Sequence, residues 1–599
     1  MTGGNGPVAS ASDHCAAQVG ASFDWVSSVE DGLCWLESQP LTGRTVVMRW
    51  RASSRECLAT FGLPDASVGS SLHAYGGMPY ADLRQGGMAL VDGSTGHVVT
   101  AAGTTSGDYT YGDLDRYDDE LFGVRETDHG DDLVVFGAGS QVPRVLRATS
   151  GFLASPRAHA GRVAWLQWEG EVMPWDSSEL WVADYASGGQ LLAPRRVAGG
   201  PAESVVQPCW GSGGWLYFMS DRSGWWNLHR WRDGCTEAVA PMAAECATAP
   251  WESSYTNFVF LSGDRIAMTV QAGPDQQLVV IEPDGTIRNV ALPYLSIKPY
   301  LAAVGDQVAL VGASPTRTSE VALVAMDGSD AVDVIRRGPA VPGDGSSVSV
   351  PEVLRVGSGV GEVVVVFYPA TPAVADGSSP LIVRPHAGPT YHTELRLDRE
   401  VQFFTSRGFA VADVDYRGST GYGRDFRKAL DGNWGRYDVE DCSNVAAHLI
   451  ASGRARPGAV FISGASAGGY TALRAVSVDG PFALAVARSA IVDPHRWKTT
   501  APRFQRPHAA ILASATSRVD AEQVSRPVLL LHGMDDRVAP VDDVLALAAA
   551  LEERGLLAGL MRFDGVGHYL SADAERSALD AELAAYRRVL RQAGITTSV

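Results

Sequence analysis

Ser466, the pair Asp535-Asp536 and His568 are the residues whose types and order point to chemistry. Ser466 stands in Gly464-Ala465-Ser466-Ala467-Gly468, after the apolar run 459–463 and before the helical pattern that starts at Gly469. A serine hydroxyl is a weak nucleophile at neutral pH, so it needs a base to take its proton and a carboxylate to orient that base. His568 follows a short apolar run and a glycine in GLMRFDGVGHYL, and Asp535-Asp536 close the run RPVLLLHGMDD. The chemistry these residues could perform is acyl transfer: cleavage of an amide or ester through an acyl-enzyme.

GxSxG alone does not decide the matter, because a chain with 65 glycines produces the pattern readily by chance. The frame and the order carry more weight. A strand, a glycine-flanked turn and a helix form the nucleophile elbow, in which the serine takes a strained backbone conformation and a Cβ on either flank would clash. In the α/β-hydrolase arrangement the acid and then the base follow at the ends of later strands. Asp535 lies about 70 residues after Ser466 and His568 about 30 further on, room for the intervening strand-helix units. One of the two aspartates is expected to have a local capping role. His386, His392, His495, His508 and His532 are poorer bases, since they precede the acid or lie inside a strand. An oxyanion hole needs backbone donors: the N–H of Ala467 at the helix start, and that of Gly388 in the loop after PLIVRPHAGPT begins.

Two kinds of sequence must position these groups. Between about residues 25 and 335, short β-like runs such as RTVVMRW, GRVAWLQW and QQLVVIEPDGTIRNVAL alternate with Gly, Asp, Asn and Ser turns. So many evenly spaced strands exceed one sandwich and fit a β-propeller, with seven blades of about 40 to 50 residues accommodating the length; two stacked sandwiches are the competing arrangement. A Pro, Gly and Ser-rich stretch at 336–380 marks a boundary. Beyond it, continuous β-branched runs alternate with helical stretches, the pattern of a parallel sheet covered on both faces. The expected division is residues 1–24 as an N-terminal segment packing on the hydrolase domain, 25–340 as the β-propeller, and 341–599 as the α/β-hydrolase domain.

Composition narrows the partners. A formal charge of −19 disfavours nucleic acid and anionic membranes. The N-terminus lacks the basic start and apolar run of a signal peptide, and no run approaches the length of a membrane span. Seven scattered cysteines, never in a CxxC pair, suggest neither a disulfide framework nor a zinc site, and point to a reducing cytoplasm. No cofactor or metal is expected, and the sequence leaves a homo-oligomer open.

The segments RPHAGPT, DYRGSTGYGRDFR, GNWGRYDVEDC, GASAGGY, LHGMDDRV and GVGH together resemble the prolyl oligopeptidase family of serine peptidases, most closely its acylaminoacyl-peptidase and dipeptidyl-peptidase-like branches. DGLCWLESQP, HAYGG, MPWDSSELWVAD and SDRSGWWNLHRW look like propeller segments of the same group. The resemblance implies a propeller capping an α/β-hydrolase, with the active site between them and open only to small substrates. It implies Ser466 as nucleophile, Asp535 as triad acid, His568 as base, Gly388, Ala467 and Tyr422 as oxyanion donors, and Arg537 as the side chain that holds a substrate carbonyl. Two departures stand out: His386-Ala387-Gly388-Pro389 carries an extra methyl where HGGP is usual, and Ala74 of HAYGG stands where relatives often carry an acid. The glutamate pair with which dipeptidyl peptidases grip a free N-terminus has no evident counterpart. The expected function is therefore a serine exopeptidase, of aminopeptidase or acylaminoacyl-peptidase type, acting on small peptides or aminoacyl amides. An amidase or esterase for an aminoacylated small molecule, such as an aminoacyl nucleoside antibiotic, is the second reading. A non-catalytic propeller binding protein is the third.

Overall fold

The computed structural model describes the chain apart from residues 1–20, 40–41, 84–85, 187–188, 340–347, 359–360, 372–377, 514–517 and 596–599. The alternating runs of the N-terminal half pair as antiparallel meanders, each a separate sheet of consecutive strands. Six sheets have four strands and the last has five, giving the seven blades of a propeller. Tight turns set the register: Tyr117 pairs with Glu120 across Asp118-Asp119, and Asp118 takes the positive φ of 53° that such two-residue hairpins need. The expected N-terminal segment 1–24 is only in part within view; residues 1–20 lie outside the described residues, while Phe23 and Asp24 already belong to the first blade.

No sheet mixes strands from the two ends of the propeller, so among the described residues the ring is closed by side chains. Phe23, Trp25 and Trp35 of the first blade share one buried cluster with Val311, Val321 and Leu323 of the last. Arg336 donates to the buried carboxylate of Glu37 at 3.0 Å, and Lys298 pairs with Asp24.

The C-terminal domain is one eight-stranded sheet. Its strands are β1 (Glu352–Ser358), β2 (Gly361–Tyr368), β3 (Ser379–Pro385), β4 (Ala410–Asp415), β5 (Ala455–Ala465), β6 (Ala485–Arg488), β7 (Val528–Gly533) and β8 (Leu557–Phe563). They lie in the order β1-β2-β4-β3-β5-β6-β7-β8, parallel from β4 onward, with β1 and β2 antiparallel at one edge. The apolar runs are explained by burial on both faces: Val383, Ile462 and Leu530 enter one core, and Ile382, Phe461 and Leu529 the other.

The two domains are joined by charge and by aromatic rings. The short helix Arg424–Lys428 turns its cations into the propeller, where Arg424 and Arg427 both bind Asp221 and Lys428 pairs with Asp176 at 3.2 Å. On the other side Arg503 binds Glu126 and Asp131 of the propeller, and Phe504 stacks on His73 with ring centres 5.7 Å apart. Asp221 is fully buried under two guanidinium groups, so Asp221→Asn leaves Arg424 without its carboxylate and Arg427 with only Glu245, 3.7 Å away. We expect that substitution to cost about 3–5 kcal/mol, read as a lower denaturant midpoint for the whole chain.

Candidate active site

β5 runs straight into the turn that carries Ser466, and the helix Ala467–Ala475 leaves it at once. Ser466 has φ 53° and ψ −114°, a conformation that costs energy and turns its hydroxyl out of the sheet. The flanking glycines are required by packing: a Cβ at Gly464 would collide with the backbone of Gly468, and one at Gly468 with the carbonyl of Pro385. The elbow read from the sequence is therefore present in geometry.

A hydrogen-bonded chain leads away from Ser466. His568 Nε2 lies 3.0 Å from Ser466 Oγ, and His568 Nδ1 lies 2.8 Å from Asp536 Oδ2. The second aspartate of the pair, not Asp535, faces the histidine. After β7 the chain makes a tight turn in which the N–H of Asp536 returns to the carbonyl of Gly533 at 3.3 Å, and alternation of side chains is lost. Asp535 is left exposed, with its N–H bonded to Val566 at 2.9 Å, while Asp536 points inward. The other Asp536 oxygen accepts the N–H groups of Val538 and Ala539 at 2.8 and 2.9 Å. Asp536 thus both holds the turn and meets His568, whereas neither aspartate caps the following helix, which begins at Val541 after Pro540. Burial alone would raise the Asp536 carboxyl, but the bond and charge of His568 and those two N–H groups hold it below the usual carboxylate range. The bonding pattern places the Nδ1 proton between His568 and Asp536, leaving Nε2 to face the serine.

The structure brings Ala467 and Gly388 beside Ser466 and His568, in the wall of one cavity of about 430 Å³. Gly388 has φ +68°, a conformation in which glycine is unstrained. The methyl of Ala387 is exposed to the same space, as the departure from HGGP suggested. Tyr422 is not brought there: its hydroxyl donates to Asp415, and its ring packs on Phe426 and against Gly273 of the propeller. Arg537, exposed on the turn beside Asp535, does not line the cavity either.

The roof of the cavity belongs to the propeller, and reading the sequence missed its chemistry. Tyr75, Glu245, Glu252, Tyr255 and Tyr300 line it, and Glu394 and Tyr391 of the hydrolase domain line the same cavity. Tyr300 donates to Glu252 at 2.7 Å, and Tyr391 to Glu394 at 2.9 Å. Burial pushes Glu252 up to about 7. Burial would also raise Glu394, but Arg396, His392 and the Tyr391 hydroxyl bring it below the ordinary glutamate value. Glu252 lies in APWESSY, a connection between blades with no strand pattern, so only its charge beside aromatic residues marked it. Among the described residues no group of His, Cys, Asp and Glu is arranged to hold a metal, and no helix is long and apolar enough to cross a membrane.

The fold and the Ser466–His568–Asp536 chain define an α/β-hydrolase capped by a seven-bladed propeller. Residues 395–592 match the model of the prolyl oligopeptidase family. The acylamino-acid-releasing enzyme of Arabidopsis thaliana is 28% identical over 210 residues, 32% of this chain and 28% of that protein. A dipeptidyl aminopeptidase BIII of Pseudoxanthomonas mexicana is 25% identical over 226 residues, 35% of this chain and 32% of that protein. The chain thus spans about a third of the length of these curated relatives. The likeness extends over nearly the whole chain for a solved structure, a puromycin-hydrolyzing peptidase of Mycobacterium tuberculosis: 28% identity, 99% of this chain and 97% of that one, and a TM-score of 0.90.

Proposed function

We propose that this protein is a serine exopeptidase that hydrolyses the amide joining an N-terminal amino acid to the rest of a small substrate. Ser466 Oγ attacks the carbonyl while His568 Nε2 takes its proton, and Asp536 holds the imidazole in the required tautomer and stabilises the cation. The N–H groups of Ala467 and Gly388 bind the oxyanion. His568 then returns the proton to the leaving amine, and water repeats the sequence to release the acyl group.

The observation that favours a free over an acylated amino group is the carboxylate-bearing wall, Glu252 and Glu394, in the cavity that holds Ser466. A protonated amine that pairs there replaces its water with charge-assisted hydrogen bonds. An acetamide at that position carries no charge to pair. The comparison to make is the ratio of kcat/KM for an aminoacyl p-nitroanilide to that for its N-acetyl form, which cancels titration of the reacting groups common to both. The ratio rises with pH through about 7 as Glu252 ionises, and falls again near 8, where an α-amine loses its proton. Glu252→Gln flattens the rise and lowers the ratio about tenfold or more, the value of a hydrogen bond to a charged group. Equal turnover of the acetylated substrate would instead support the acylaminoacyl-peptidase reading.

An aminoacyl nucleoside as substrate is the second reading, favoured by the full-length likeness to a puromycin-hydrolyzing peptidase. Puromycin run beside aminoacyl, N-acetyl-aminoacyl and dipeptidyl anilides separates the two. Absence of turnover on all of them, with no labelling by a fluorophosphonate, would return the protein to the binding-module reading.

A further inference from the structure

The loop 386–390, which carries Gly388, is held from two sides. On the hydrolase side, His386 Nε2 lies 2.7 Å from Ser419 Oγ, its ring stacks on Tyr416 at 4.3 Å, and the Tyr416 hydroxyl donates to the His386 carbonyl at 3.1 Å. On the other side the anchor comes from the propeller. Trp251 Nε1 donates to the carbonyl of Thr390 at 2.7 Å. The same indole covers Gly388 so closely that a Cβ there would lie 3.6 Å from the ring. Trp251 is itself fixed to the propeller, packed on Trp175 at 4.6 Å and Tyr75 at 5.0 Å, so its indole moves with that domain.

We propose that Trp251 is a positioning residue through which the propeller sets the oxyanion loop, so that the loop reaches its working geometry only when the two domains are docked. The inference rests on the assignment of Gly388 as an oxyanion donor. Its physical basis is the steepness of electrostatic stabilisation with position: a donor contributes when it is aimed at the developing charge, and a misplacement of about 1 Å can cost up to about 100-fold in rate. Loss of the indole donor leaves Thr390 held only by its hydroxyl, 3.3 Å from His508 Nε2, and lets the segment from Gly388 to Thr390 relax, while Ser466, His568 and Asp536, all held within the hydrolase domain, keep their geometry. The propeller is then a part of the reacting site as well as its lid.

The test compares wild type with Trp251→Phe, which keeps a ring over Gly388 and removes the N–H, and with Trp251→His, which restores a ring N–H donor. Rates are normalised to sites titrated by a fluorophosphonate, so that a poorly folded fraction does not count. Three quantities are read with an aminoacyl p-nitroanilide: kcat, the inhibition constant of the matching aminoacyl aldehyde, which forms a tetrahedral adduct with serine, and that of the free amino-acid product, which does not. Trp251→Phe lowers kcat about tenfold and weakens the aldehyde in proportion, with the product constant within about twofold, and Trp251→His recovers part of the loss. An unchanged kcat, or aldehyde and product weakened equally, would overturn the proposal and leave Trp251 as a wall of the pocket. Turnover that survives Ser466→Ala would instead remove the serine-hydrolase reading beneath it, so the two failures are distinct.

Discussion

Ser466→Ala is expected to lower kcat by about 10,000- to 1,000,000-fold, since no other group can take the place of an activated nucleophile. Covalent capture by a fluorophosphonate disappears in the same variant, and in the wild type the adduct maps to the peptide that contains Ser466. The substitution removes one oxygen that bonds His568 at 3.0 Å and retains a Cβ at φ 53°, so the backbone strain of the elbow persists. Thermal stability is therefore expected to stay close to wild type, and loss of activity reports chemistry and not folding. Unchanged labelling in Ser466→Ala would place the nucleophile elsewhere.

The second large effect is a contrast between adjacent residues. Asp536→Asn is expected to cost about 10,000-fold in kcat, because an amide favours the wrong histidine tautomer and does not stabilise the cation. Asp535→Asn is expected to leave kcat within about twofold, as an exposed side chain whose backbone alone bonds Val566. Steady-state kinetics on the two variants, with folding checked by circular dichroism, decides between them. The reverse result would restore Asp535 as the acid and show that the turn rearranges in solution.

This contrast also marks how far the sequence could be read. The run RPVLLLHG identifies a strand buried on both faces, and an acid just beyond it is expected at that place in such a sheet. Which of two adjacent carboxylates faces inward depends on the turn after Gly533, where period-two alternation ends and the hydrogen bonds of Asp536 to Val538 and Ala539 take over. Tyr422 is offered as an oxyanion donor by the family resemblance alone. It lies 44 residues before Ser466 in the sequence, and its hydroxyl bonds Asp415 while its ring lies against Gly273 of the propeller.

The sequence by itself determined the features with local causes. Turn residues and alternation specified the hairpins of the blades, β-branched runs the buried parallel strands, and glycines with neighbours too close for a Cβ the elbow of Ser466. The order of Ser466, the aspartate pair and His568 followed from the order of the strands that carry them. The tertiary structure decided what depends on contacts between distant segments. It turned Asp536 toward His568, brought Glu252 and Glu394 into one cavity, and set Trp251 against the loop of Gly388 across 139 residues of chain to Thr390. Backbone preferences act over a few residues, whereas the direction of a side chain in a cavity between two domains is set by everything packed around it.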